Sequence, residues 1–203
     1  VWDMSSLGEG LRKTISLQGH GGKKARLHWS GNFDEVQDFE QQIRALGGGS
    51  GLMPIGSFEL NGRSLPLGTP KAGQSDDLDA LAAYVNSLNR YAPRPYRNSD
   101  RSLTASAKAG ESLFASKGCT TCHSNADLGG DGLTRHDIGT LKPASGKVQG
   151  EALTGLVAPG LRDAWYAAPY LHDGSADTLE AAIQAHNTNT FTAAELSSLA
   201  AYI

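Results

Sequence analysis

Both cysteines of this 203-residue chain lie in one short stretch, SKGCTTCHSNADLGG, running from Ser116 to Gly130. Cys119 and Cys122 are spaced i, i+3, and His123 follows at once. That spacing puts both thiols on one face of a helical turn. A redox dithiol of this form belongs beside a βαβ pattern, which the sequence lacks. Structural zinc takes four ligands, usually from paired clusters, and there is no second cluster. Covalent haem attachment uses all three residues. Two thioether bonds fix the edge of the macrocycle, and the adjoining imidazole reaches the iron. The expected cofactor is one covalent haem c on Cys119 and Cys122, with His123 as the proximal metal ligand.

A second axial ligand is less obvious. The only methionines, Met4 and Met53, lie far upstream of the motif, and the chain has six histidines. In TLEAAIQAHN, Leu179, Ile183 and His186 recur at i, i+4, i+7 and so share a helix face, with Leu and Ile marking it as buried. A histidine there is either a satisfied core residue or a ligand. His172, in LHDGS, holds its turn or a haem propionate, and is the second choice for the iron. His136, in TRHDIGT, is expected to line the pocket edge through a hydrogen bond. Arg135 beside it pairs with a propionate, or else is an ordinary solvated arginine. His20 is expected to be exposed. Trp29 and Trp165 read as core residues, with a place between two cofactors as the alternative. Met53 reads as packing.

These residues must be held by helices. Thr104 or Ser106 caps a helix carrying Ala107, Leu113 and Phe114 on its apolar side, and Gly118 breaks it before Cys119. Residues 128–160 are glycine-rich and aperiodic, as expected of a long loop around a cofactor. Asp177–Asn187 opens with D-x-x-E and Thr192–Ile203 with T-x-x-E, both capping-box patterns. Strand patterns are scarce, so the fold is expected to be mostly α with long loops. An internal repeat relates LHDGSADTLEAAI to LHWSGNFDEVQDFEQQI, with His172 matched to His28. It also relates ELSSLAAYI to DLDALAAYV. The expected organisation is a partial related unit over 1–90, a linker over 91–100 rich in proline and arginine, and a c-type haem domain over 101–203.

Composition narrows the function. Formal net charge is −3, which carries no signature for nucleic acid or another polyanion. No apolar run approaches the roughly 20 residues of a membrane-spanning helix, and no signal peptide is visible. A chain beginning at Val1 and ending inside a helix pattern is expected to be a processed or excised piece of a longer protein.

The stretches AGESLFASKGCTTCHSNADLGG, RHDIGT and PGLRDAWYAAPYLHDGSADTLEAAI resemble the dihaem cytochrome c peroxidase and MauG-like family. The match is good over 101–203 and looser over 1–90. The resemblance implies a cytochrome c-like helical haem domain, an electron-transfer haem in the C-terminal domain and a peroxidatic haem in the N-terminal one. It places a distal methionine eight residues after the threonine of T-L-E; counted from Thr178, that position is His186. The resemblance therefore selects His186 as the second metal ligand, and with it a bis-histidine haem.

Such an iron has no open position, so the expected function is electron transfer. The partner is a redox protein or an upstream haem domain. One alternative is a dihaem peroxidase or related oxidase whose second haem lies upstream, and another is a haem-based sensor. Attachment of this haem type implies a periplasmic or otherwise exported protein.

Overall fold

The computed structural model describes residues 1–18, 27–186 and 189–203. His20 lies outside the described residues. The described chain is mainly helical: α1 Phe39–Gly47, α2 Ile55–Glu59, α3 Asp76–Ser87, α4 Ala105–Ser116, α5 Leu179–Gln184 and α6 Ala193–Tyr202. Its strands are two residues each and pair antiparallel: β1 Trp2–Asp3 with β2 Leu11–Arg12, β3 Arg135–His136 with β6 Leu156–Val157, and β4 Lys147–Val148 with β5 Glu151–Ala152. The mostly α, loop-rich expectation holds.

Helix starts follow the capping chemistry. Thr104 Oγ1 accepts from the Ala107 N–H, so Thr104 rather than Ser106 opens α4. Thr192 and Glu195 form the expected capping box at α6. Elsewhere the caps sit one or more residues later than the pattern suggested. Thr178, not Asp177, caps α5, and α5 ends at Gln184. Toward the N-terminus Glu35 and Asp38 form a reciprocal capping box at the 3₁₀ turn Val36–Asp38. An Ncap needs an extended backbone as well as an acceptor side chain, and the pattern alone does not report φ and ψ.

The repeat is real in the backbone but shifted in register. Leu27 bridges Phe33 just as Tyr170 bridges Ala176. His28 (φ 65°) and Leu171 (φ 67°) each follow the bridge's first residue in a left-handed conformation. His28 therefore corresponds to Leu171, and Trp29 to His172.

The C-terminal core joins Phe114 of α4, Ala164, Leu179 of α5, and Leu199, Ala200 and Ile203 of or just after α6. Gly110 lets α4 cross α6 at very short range, since a Cβ there would lie 1.9 Å from the Ser198 carbonyl oxygen. A mid-helix glycine costs about 1 kcal/mol relative to alanine, and the close crossing is the compensation. Elsewhere Val36, Ala82 and Val85 form one cluster and Met53, Phe58 and Leu78 another, which puts Met53 in the core. Arg94 and Arg97 donate to the carbonyls of Ala201, Tyr202 and Ile203, tying residues 94–97 to the end of α6.

Candidate functional site

The cysteine motif is built by the end of α4. Lys117 closes the helix, and Gly118, with φ 76°, turns the chain into a 3₁₀ turn over Cys119–Thr121. Gly118 is suited to that left-handed position because it lacks Cβ. The Cys122 and His123 N–H groups both donate to the Cys119 carbonyl, at 3.3 and 2.9 Å, so thiols and imidazole share one turn. Both cysteines are free and half-buried. Burial raises the pKa of each thiol.

His123 is oriented by the loop that follows. Asn125 Oδ1 accepts from the N–H groups of Asp127 and Gly129, and its amide donates to the Gly130 carbonyl. That loop presents the Leu128 carbonyl 2.7 Å from His123 Nδ1. A carbonyl only accepts, so the proton sits on Nδ1 and Nε2 keeps its lone pair. Burial pushes the His123 pKa down to about 4, the Leu128 hydrogen bond works against this, and His186 depresses it further. A neutral imidazole with its Nδ1–H fixed by a carbonyl is the usual state of a metal-ligating histidine.

His186 has the same arrangement. It follows α5, and its Nδ1 lies 2.9 Å from the Ala182 carbonyl, one turn back. Its Nε2 has no hydrogen-bond partner among the described residues. Leu179, Ala182, Ile183 and His186 all line one cavity, so the predicted helix face is formed.

His172 differs. It is 1% exposed, and its Nε2 lies 2.7 Å from Ser145 Oγ, while Nδ1 is buried without a partner. Burial, then Arg12 and Lys142, lower its pKa; Asp173 opposes them. His136 lines the same cavity on β3. Its main chain pairs with Leu156, which fixes the residue without using the ring. Arg135 also lines the cavity and is not free in solvent: its Nε donates to the Ser30 carbonyl at 2.6 Å.

These side chains surround a cavity of about 780 Å³, walled by Phe114, Leu156, Leu161, Ile183 and Leu199. That is within the usual range of about 300–1,000 Å³ for ligand sites. Two thiols on one turn, two imidazoles each held at Nδ1 by a backbone carbonyl and an apolar wall fit a covalent haem. A second cavity, about 600 Å³, is lined by Met4, Leu27, His28, Phe39 and Leu46. Trp29 lines both cavities, with its indole donating to the Lys13 carbonyl at 2.8 Å. Trp165 instead packs in the C-terminal core and donates to the Ala200 carbonyl.

No family model matches the chain. It is 33% identical over 102 residues to cytochrome c peroxidase Ccp of Escherichia coli (strain K12), covering 43% of this chain and 21% of that protein. It is 37% identical over 93 residues to methylamine utilization protein MauG of Methylorubrum extorquens, covering 41% of this chain and 26% of that protein. The chain thus spans about a fifth to a quarter of the length of these relatives. Among solved structures, a MauG-like protein associated with microbial copper homeostasis shares the fold over 94% of this chain and 72% of its own, with a TM-score of 0.56 and 21% identity.

Proposed function

Proceeding from the chain's place in the MauG and cytochrome c peroxidase-like family, we propose that it carries one covalent c-type haem with two histidine ligands and serves as an electron-transfer domain. A bound haem supplies a one-electron iron couple. Cys119 and Cys122 hold the macrocycle edge, and His123 and His186 hold the iron from two separate elements. The observation that carries this reading is the hydrogen bonding of the two imidazoles. In each, Nδ1 lies against a backbone carbonyl, which makes Nε2 the nitrogen to offer a metal, and the Pro159 carbonyl also lies near the His123 ring. His172 is the weaker ligand candidate, because Ser145 occupies its Nε2. Its buried, unpartnered Nδ1 suits a haem propionate instead.

Leu156, Leu161 and Ile183 give the cavity an apolar wall, and such a wall favours a centre that changes charge with little solvent reorganisation. Two imidazoles place the couple lower than a His/Met pair would. Haem-based redox chemistry of this kind belongs to an exported chain, with a redox protein as partner. The division into a partial unit over 1–90, a linker over 91–100 and a haem domain over 101–203 is part of the same proposal.

A second reading is a dihaem peroxidase or related oxidase completed by residues outside this chain. The second cavity and the position of Trp29 between the two cavities favour it. An absorption spectrum with an intact mass under denaturing conditions tests the first reading. One retained haem and a low-spin spectrum are expected. A haem-free or high-spin chain would rule out the bis-histidine assignment.

A further inference from the structure

Six of the buried polar residues belong to one hydrogen-bonded network: Glu9, Arg12, Ser30, Asn32, Ser145 and His172. Arg12 NH2 donates to Glu9 Oε2 at 3.2 Å, and Arg12 NH1 donates to the Ser145 carbonyl at 2.7 Å. Ser145 Oγ lies 2.7 Å from His172 Nε2. On the far side, Ser30 and Asn32 donate to the Glu9 carboxylate at 3.1 and 2.8 Å, and Asn32 Oδ1 lies 2.8 Å from His28 Nδ1. The network thus runs from His172, in the cavity that holds the cysteine motif, to His28, in the other cavity. A fully buried network containing an ion pair is costly to assemble unless its members are satisfied, and this one has no evident role in holding the axial ligands.

The junction at Ser145 has a property that the other histidine contacts lack. The carbonyls that hold His123 and His186 only accept. A serine hydroxyl donates to a neutral imidazole and accepts from a charged one. His172 can therefore gain a proton on Nε2 without losing its hydrogen bond. The charged groups of the described chain that face it are Asp173 on its own loop, Lys142 on the neighbouring loop and Arg12 on β2, and a haem propionate at its Nδ1 would add a carboxylate to them. Glu9 partly offsets Arg12.

We propose that the His172–Ser145–Arg12–Glu9 chain makes the haem centre a proton-coupled electron carrier: one electron entering from a one-electron redox protein is accompanied by one proton taken from solvent onto His172. This rests on the haem reading above. A bound haem would take up the one electron, one N–H bond would form on His172 as one O–H bond of a solvent hydronium breaks, and the cavity's net charge would be unchanged. Burial lowers the His172 pKa and so favours the neutral ring, and an added electron nearby would draw a proton in. Glu9 is a positioning residue that acts through Arg12 and sets the pH at which the coupling appears.

The test is potentiometric titration of the full haem-loaded chain from pH 5 to 9, followed by the haem spectrum. In the wild type the reduction equilibrium should change tenfold per pH unit over part of this range, about 59 mV per unit for a one-electron couple. His172→Gln, which keeps a hydrogen-bonding group beside Ser145, should abolish that dependence and leave the low-spin spectrum intact. Glu9→Gln leaves the Arg12 charge uncompensated and should move the pH-dependent segment to lower pH. Asn32→Leu, which deprives the same carboxylate of a donor, provides a second entry to the network if Glu9→Gln does not fold, and should shift the segment too. A low-spin haem whose potential is independent of pH, or whose slope survives His172→Gln, would overturn the relay alone. A slope abolished by His136→Gln instead would overturn it as well. A chain that binds no haem would overturn the relay and the haem reading together.

Discussion

Ser145 Oγ sits 2.7 Å from Nε2 of His172 and so occupies the nitrogen that a loop histidine would need for iron. His186 keeps that nitrogen free because its Nδ1 is anchored to the Ala182 carbonyl of its own helix. The His186→Ala variant should therefore become high-spin and bind CO readily. His186→Met should remain six-coordinate with a raised potential. His172→Ala should leave the iron low-spin. The reverse pattern, conversion by His172→Ala with no change in His186→Ala, would assign the ligand to the loop histidine.

Haem should survive denaturation on this chain. Cys119 and Cys122 lie on one turn with His123, and both are free thiols. Denaturing mass spectrometry is expected to show one haem added to the protein mass, and Cys119→Ala or Cys122→Ala to leave at most a single thioether. Complete loss of haem in acid–acetone extraction of the wild type would exclude covalent attachment.

By itself the chain should turn over peroxide poorly. With His123 and His186 both bound, the iron offers no position to a substrate oxygen. Steady-state assays with peroxide and a reduced donor should show little activity, and His186→Ala should raise it by exposing the site. Fast, saturable turnover by the wild-type chain with a single low-spin haem is incompatible with this coordination.

Gly110→Ala should destabilise the packing of α4 on α6 even though alanine is the better helix former. The new Cβ meets the Ser198 carbonyl oxygen at 1.9 Å, and backbone cannot swing aside as a side chain does. Overpacking of this sort costs about 1–3 kcal/mol, and each kcal/mol lowers Tm by about 2–4 °C in a chain of this size. A melt showing equal or higher Tm would mean that α4 and α6 cross less closely than described.

Acid sensitivity should show at Asp173. Burial opposes its charge, yet Lys142 and Ser175 hold its carboxyl down to about 2, against an ordinary 3.8. A folded pKa below the unfolded value adds stability that is fully present above about pH 4 and fades as pH falls toward 2. Asp173→Asn should therefore be less stable than wild type at pH 7, and the gap should close on acidification. Urea unfolding midpoints at several pH values measure it; a gap that does not change with pH would mean that the ion pair does not form in solution.

Local sequence determined a good deal of this protein. Cys119, Cys122 and His123 had to share a turn, because the i, i+3 spacing and Gly118 allow little else. Thr192 with Glu195 marks where α6 begins, since capping is a contact within one turn, whereas the choice of Thr104 over Ser106 at α4 fell to the structure. The i, i+4, i+7 spacing of Leu179, Ile183 and His186 was likewise legible, because helical periodicity is a local property. Contacts between distant residues decided the rest. The pairing of His172 with Ser145, the donation from Arg135 to the Ser30 carbonyl and the burial of Glu9 against Arg12, Ser30 and Asn32 depend on chain segments far apart in sequence. The one-residue shift between His28 and Leu171 was hidden as well, because both repeats carry Leu-His while the bridges Leu27–Phe33 and Tyr170–Ala176 set the register. Which histidine is free for a metal depends on which nitrogen has already found a partner, and only the tertiary structure brings those partners together.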